Sequence, residues 1–156
     1  MKPKVHYIPE GFRAVTPYLI VNDAARAIEF YESAFGAEEI ARMPTPDGKV
    51  AHAEIQIGDS VIMLSDEFPG FISRSPISYG GTPVTVCLYV EDCDEVVGKA
   101  VALGAKMVRP LQDQFYGDRS ATLTDPFGHV WTVATHKEDL TLEEVHQRFS
   151  EWAGSK

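Results

Sequence analysis

The stretch 16–23, TPYLIVND, returns as 85–92, TVCLYVED, with Thr, Leu, Val and Asp in the same places; 85 − 16 gives an offset of 69. The next segment repeats at the same offset. Ala24, Ala27, Ile28 and Tyr31 lie at the i, i+3, i+4, i+7 spacing of one helix face, and Cys93, Val96, Val97 and Ala100 follow them 69 residues on. Farther along, Gly58 to Leu64 (GDSVIML) is echoed by Phe127 to Val133 (FGHVWTV). A sequence that repeats in this way builds one supersecondary unit twice, so the fold must contain two similar halves.

Each half reads as strand, helix, then three strands. In the first, strands are expected at 14–21, 38–43, 50–57 and 60–65, with a helix at 24–35. Asn22 and Asp23 are its N-cap candidates and Gly36 ends it. In the second, strands are expected from 85, then at 106–110, 120–124 and 130–135, with a helix from Cys93 closed by Gly104. Asp125-Pro126-Phe127-Gly128 is the turn of the last hairpin. The organisation is one domain: repeat one over about 14–66, a linker or lid at 67–82, repeat two over about 83–136, and a C-terminal helix at 141–152. That helix opens on a Thr141/Glu144 capping box and carries a stripe of Leu142, Val145, Phe149 and Trp152. The stripe packs on its own domain or on a second subunit. The linker is rich in Pro, Gly and Ser, and Phe68 and Phe71 within it suit closure over a cavity or packing on a partner.

Composition removes several functions. A net charge of −9 without a basic patch disfavours nucleic acid and anionic membranes as partners. No apolar run approaches the length of a membrane span, and the two cysteines, Cys87 and Cys93, form no disulfide framework, so a cytoplasmic protein is expected. P-loop, dinucleotide and GxSxG signatures are missing.

Two βαβββ halves in one chain resemble the vicinal oxygen chelate superfamily of glyoxalase I, bleomycin-resistance proteins and extradiol dioxygenases, and within it the PhnB-like branch. The resemblance is carried by Tyr18 to Val21 with Ala27 to Tyr31, by Phe35-Gly36-Ala37, by His52 to Ile55 before Gly58 to Val61, and by Gly117-Asp118-Arg119 leading into Asp125 to His129. It implies an α+β fold in which two mixed sheets curl into cups with helices outside, a small organic ligand in the cup, and a homodimer. It also implies a metal ring at four equivalent strand positions, which here are Thr16, Met63, Thr85 and Thr132. Three hydroxyls and a thioether are poor ligands for a divalent ion, so no metal or other cofactor is expected; an off-pattern ion on His52 and Glu54 would have only two ligands.

Strand alternation then divides each strand between helix and cup. Tyr18 and Ile20, His52, Glu54 and Gln56, Cys87 and Tyr89, and Ser120, Thr122 and Thr124 face the cup together with the four ring positions. His52 and Glu54 are the candidate catalytic pair, an imidazole and a carboxylate able to move a proton beside a carbonyl. The expected ligand-binding set is Thr16, Tyr18, Gln56, Met63, Thr85, Cys87, Tyr89, Arg119 and Thr132. Arg119 offers a fork to an anionic group, with Asp118 or Asp125 as its alternative structural partner. Tyr18, Tyr89 and Phe71 would give aromatic walls. Cys87 reads as a small buried hydrophobe, while His129 and His136 read as turn or interface residues. Two functions stay open: a metal-independent small-molecule-binding protein, or a lyase or isomerase of glyoxalase type using His52 or Glu54.

Overall fold

The computed structural model describes residues 5–155. They form β1 (Tyr18–Val21), α1 (Ala24–Phe35), β2 (Glu38–Pro44), β3 (Val50–Ile57), β4 (Ser60–Asp66), α2 (Pro76–Tyr79), β5 (Thr85–Tyr89), α3 (Cys93–Ala102), β6 (Lys106–Asp113), β7 (Asp118–Thr124), β8 (Val130–His136) and α4 (Leu142–Gly154). The chain divides into two compact units, one ending at Gly81 and the other beginning at Thr82. Each holds a four-stranded mixed sheet, ordered β1-β4-β3-β2 in the first and β5-β8-β7-β6 in the second. The first strand runs parallel to the last in each unit, and the other pairs are antiparallel. This is the α+β architecture expected from the sequence.

The duplication holds at the level of register. Tyr18 pairs with Met63 and Leu19 with Leu64; 69 residues on, Cys87 pairs with Thr132 and Leu88 with Val133. The third strand of each unit shifts by one, since Ile55 faces Ile62 where Leu123 faces Trp131. The difference lies in the hairpin turn. Gly58 and Asp59 are enough to join Ile57 to Ser60, whereas Asp125 and His129 enclose three residues.

Helix entry is built the same way twice. Asp23 and Asp92 cap α1 and α3 by accepting from the Arg26 and Glu95 amides. At the end of β4, the buried Asp66 carboxylate accepts from the Ala24 amide at 2.9 Å and the Val50 amide at 2.7 Å. Thr135 holds the equivalent place in β8, accepting from the Cys93 amide at 2.9 Å and donating to the Val90 carbonyl. Gly36 closes α1 at φ 68°, with the Gly36 and Ala37 amides bonded to the Glu32 and Tyr31 carbonyls.

One helix covers one face of each sheet. Val21, Ala27, Ile28, Tyr31, Ile55 and Leu64 form the core of the first unit, while Val97, Ala100, Leu123, Trp131 and Val133 form that of the second. Each large side chain so buried contributes about 1.5–3 kcal/mol. Six strand ends differ from expectation; β2 and β4 each run one residue longer, to Pro44 and Asp66, and the other four have local causes. β1 starts at Tyr18 rather than at 14 because Pro17 has no N–H to pair and the Thr16 hydroxyl turns back to the Arg13 carbonyl. β6 continues to Asp113 past Pro110, which an edge strand with broken register tolerates. β7 and β8 extend by two residues and one residue, so that Asp118 pairs with His136. α4 has the expected capping box, but none of its residues is buried. Its Phe149 and Trp152 rings lie 5.5 Å from that of Phe115 in the β6–β7 loop.

Candidate ligand site

The uncovered face of the first sheet carries the expected inward set. Register aligns Tyr18 of β1, Met63 of β4 and Glu54 of β3 in one row, and His52 lies two residues from Glu54 on the same face. The three polar members form a chain: Tyr18 Oη is 2.9 Å from His52 Nδ1, and His52 Nε2 is 3.2 Å from Glu54 Oε1. With the Glu54 carboxylate as acceptor, Nε2 donates to it and Nδ1 is left to accept from the tyrosine hydroxyl. The His52 and Glu54 side chains are about a quarter exposed, at 23% and 24%. Gln56 is occupied elsewhere, donating to the Gly58 carbonyl of its own hairpin.

Beside this chain lies a cavity of about 600 Å³, lined by Tyr18, Ile20 and Ala51 of the sheet, Asp66, and Phe68 and Phe71 of the following loop. Ala51 reaches it because the β2–β3 register shifts between Met43 and Pro44, which breaks the alternation and buries Val50 instead. Strict alternation could not have found Ala51. Tyr18 joins the cavity to the His52–Glu54 chain.

The second unit does not repeat this chemistry. Its equivalent row is Cys87, Thr132 and Thr122, and the two threonine hydroxyls are 3.3 Å apart. Cys87 is exposed and Cys93 is the buried thiol, which corrects the expectation for Cys87. Partial cover of the sulfur and then the Asp118 charge push the Cys87 thiol pKa up. One row farther on is a cluster that sequence reading missed. The buried Asp118 carboxylate accepts from the Tyr89 hydroxyl at 2.7 Å and lies 2.7 Å from His136 Nδ1, while His136 Nε2 is 3.0 Å from Asp139. The bond to Asp118 holds the Tyr89 proton and pushes its pKa to about 12. Asp118 and then Asp139 raise that of His136.

Arg119 turns to the helix side. Its Nε and Nη2 grip Asp94 of α3 at 2.7 and 2.9 Å, and Nη1 reaches Asp113 at 3.2 Å. Its partners are therefore Asp94 and Asp113 rather than Asp118 or Asp125. The guanidinium holds the Asp94 carboxyl below its ordinary range. Asp125 organises the last hairpin, accepting from the Phe127 and His129 amides and the Trp131 indole, each at 2.9 Å.

Of the four ring positions, Thr16 precedes β1 and is bonded to Arg13, Met63 and Thr132 face outward from the uncovered sides, and Thr85 is exposed at the start of β5. Neutral hydroxyls and a thioether are weak donors to a divalent cation. Among the described residues, no group of three or more His, Cys, Asp or Glu side chains is placed to hold an ion. Nor, among those residues, is any helix long and apolar enough to cross a membrane.

Residues 11–133 match the model of the Glyoxalase/Bleomycin resistance protein/Dioxygenase superfamily. The chain belongs to that superfamily. An uncharacterized protein of Mycobacterium bovis is 43% identical over 140 residues, covering 88% of this chain and 92% of its own. The crystal structure of TioX from Micromonospora superposes with a TM-score of 0.62 at 27% identity, over 83% of this chain and all of that one. A Bacillus cereus structure described as a PhnB protein and putative 3-demethylubiquinone-9 3-methyltransferase shares the fold, with a TM-score of 0.64 at 19% identity over 79% of this chain and 99% of that one.

Proposed function

We propose that this superfamily member is a small-molecule-binding protein, that its ligand occupies the cavity between the first sheet and the loop after β4, and that it works without a metal at the four ring positions. The observation that carries the reading is the cavity itself. Its volume of about 600 Å³ lies in the range of organic-ligand sites, and apolar side chains supply most of its wall. The donor chemistry of Thr16, Met63, Thr85 and Thr132 supports the metal-independent part. We read the chain as PhnB-like on its own motifs, and as a homodimer in keeping with the superfamily resemblance; light scattering on the purified protein checks the latter.

The Tyr18–His52–Glu54 chain favours a second reading, a lyase or isomerase in which His52 or Glu54 takes a proton from carbon beside a carbonyl. One set of measurements separates the two. Protein purified without chelator is assayed for divalent metal and for thermal stabilisation by a panel of small organic molecules, and both assays are repeated on His52→Ala. The binding reading expects no stoichiometric metal. It also expects a ligand that, at a hundred times its Kd, adds about 2.7 kcal/mol of stability. Stoichiometric metal that disappears in His52→Ala overturns it.

A further inference from the structure

We propose that the segment 67–79 is a lid over this cavity, latched by Glu67, and that the molecule it closes on is largely apolar and carries no negative charge. The inference rests on the binding reading above and adds to it a ligand class and a moving part.

The latch is a single carboxylate anchored to the sheet. The Glu67 amide donates to the Val21 carbonyl at 2.9 Å, which fixes its backbone to the end of β1. Its side chain then reaches across the loop. One oxygen accepts from the Ser75 amide at 2.7 Å and the other from the Ser78 hydroxyl at 2.6 Å. Ser75 is fully buried and is also the N-cap of α2. Between anchor and latch, a turn bonding the Phe71 amide to the Phe68 carbonyl, with Gly70 at φ 85°, carries the two phenylalanines to the cavity.

The door stands partly open. Phe71 lines the cavity yet is 73% exposed, and its neighbour Ile72 is 93% exposed. An aromatic ring left in water at the mouth of an apolar cavity gains burial whenever an apolar molecule sits beneath it. The loop's polar tie is two hydrogen bonds to one side chain, with Ser75 and Pro76 packed beneath it, a smaller restraint than the strand pairing around it.

The charge of the ligand follows from the wall. Among the described residues, Asp66 is the one carboxylic acid in it and already accepts from two backbone amides, and no lysine, arginine or histidine lines the cavity. The cations nearby, Lys49 and Arg74, line an adjoining hollow that shares Phe68 and Phe71 with the cavity and also holds the Glu67 carboxylate; Lys49 sits 5.4 Å from the centre of the Phe68 ring. An anion entering the cavity would lose its hydration with no countercharge among the described residues of the cavity wall itself, in a protein of net charge −9. A neutral molecule has no such penalty, and a cation recovers part of its own from the aromatic faces.

The test uses two dyes on the full chain: Nile red, which is neutral, and 8-anilinonaphthalene-1-sulfonate, which is anionic. Saturable Nile red binding is expected, with the sulfonate dye weaker by tenfold or more. Glu67→Gln and Phe71→Ala should each speed Nile red dissociation about tenfold. Glu67→Gln should also raise hydrogen exchange at the Ser75 amide by a similar factor. Because Phe71 is mostly exposed, its variant folds even where Glu67→Gln does not. Equal or tighter binding of the sulfonate overturns the ligand class, and unchanged Nile red dissociation in both variants overturns the lid; in either case the binding reading survives. Failure of both dyes to bind removes the lid and the binding reading together.

Discussion

At the scale of single residues, two carboxylates and a glycine hold the molecule locally, each in a different way. Asp125 satisfies two backbone amides and the Trp131 indole, so Asp125→Ala leaves buried donors without an acceptor and is expected to cost about 3 kcal/mol in urea unfolding. Gly117 is needed for two independent reasons. Its φ is +98°, and a Cβ there would lie 2.6 Å from the Glu138 carbonyl, whose chain is already bonded back to Gly117. Gly117→Ala should therefore destabilise by about 3 kcal/mol in the same assay, strain and clash together. Asp118 gives a pH dependence with a definite sign. It raises the His136 pKa above the ordinary value, so the folded state binds the proton more tightly than the unfolded one. The resulting stability is complete below about pH 6.5 and is lost as pH rises through the raised value. Denaturation midpoints across pH 5–9 should fall on the alkaline side, and His136→Gln should flatten that slope. A slope unchanged by the substitution would remove His136 as its source.

At the scale of elements, the helix of each repeat was the most legible part, whereas α2 lay unread inside the linker. α1 was readable to the residue because apolar spacing, an aspartate cap and a closing glycine all mark the same limits. Strand ends were harder, since they depend on pairing partners distant in sequence. Reading β7 from 120 and β8 to 135 left Asp118 and His136 outside the strands, and their meeting across the pair was invisible. A signal was present: Asp118 shares parity with Ser120 and Thr122, as His136 does with Thr132, so extending alternation in both directions would have aligned them. Ala51 was hidden for the opposite reason, because a register shift breaks the alternation on which the inference relied. Tyr18, His52 and Glu54 were legible as a set because alternation holds along β1 from Tyr18 and along β3 from His52, past the register shift. Arg119 was read as a fork for an anionic ligand group or for Asp118 or Asp125; the fork instead grips Asp94, on a helix 25 residues earlier, and reaches Asp113.

For the whole molecule, the consequence of duplication is two cores, each with its own stabilising burial. Leu64 and Val133 hold equivalent places and both are fully buried. Leu64→Ala should cost about 2–5 kcal/mol and raise amide exchange first in β3, β4 and α1, whereas Val133→Ala should raise it first in β7, β8 and α3. Exchange spreading uniformly in both variants would show that the two units open as one. The equivalent rows Tyr18–Met63–Glu54 and Cys87–Thr132–Thr122 have a further use. Two sheets paired alike, with the third strand displaced by one, give positions on β1, β3 and β4 known addresses on β5, β7 and β8. Side chains can therefore be transplanted by arithmetic: Ser120→His and Thr122→Glu with Cys87→Tyr would write the first unit's proton chain onto a backbone that already has its spacing. A protein built twice contains its own control experiment, since whatever chemistry is assigned to one sheet can be erased there and rebuilt on the other.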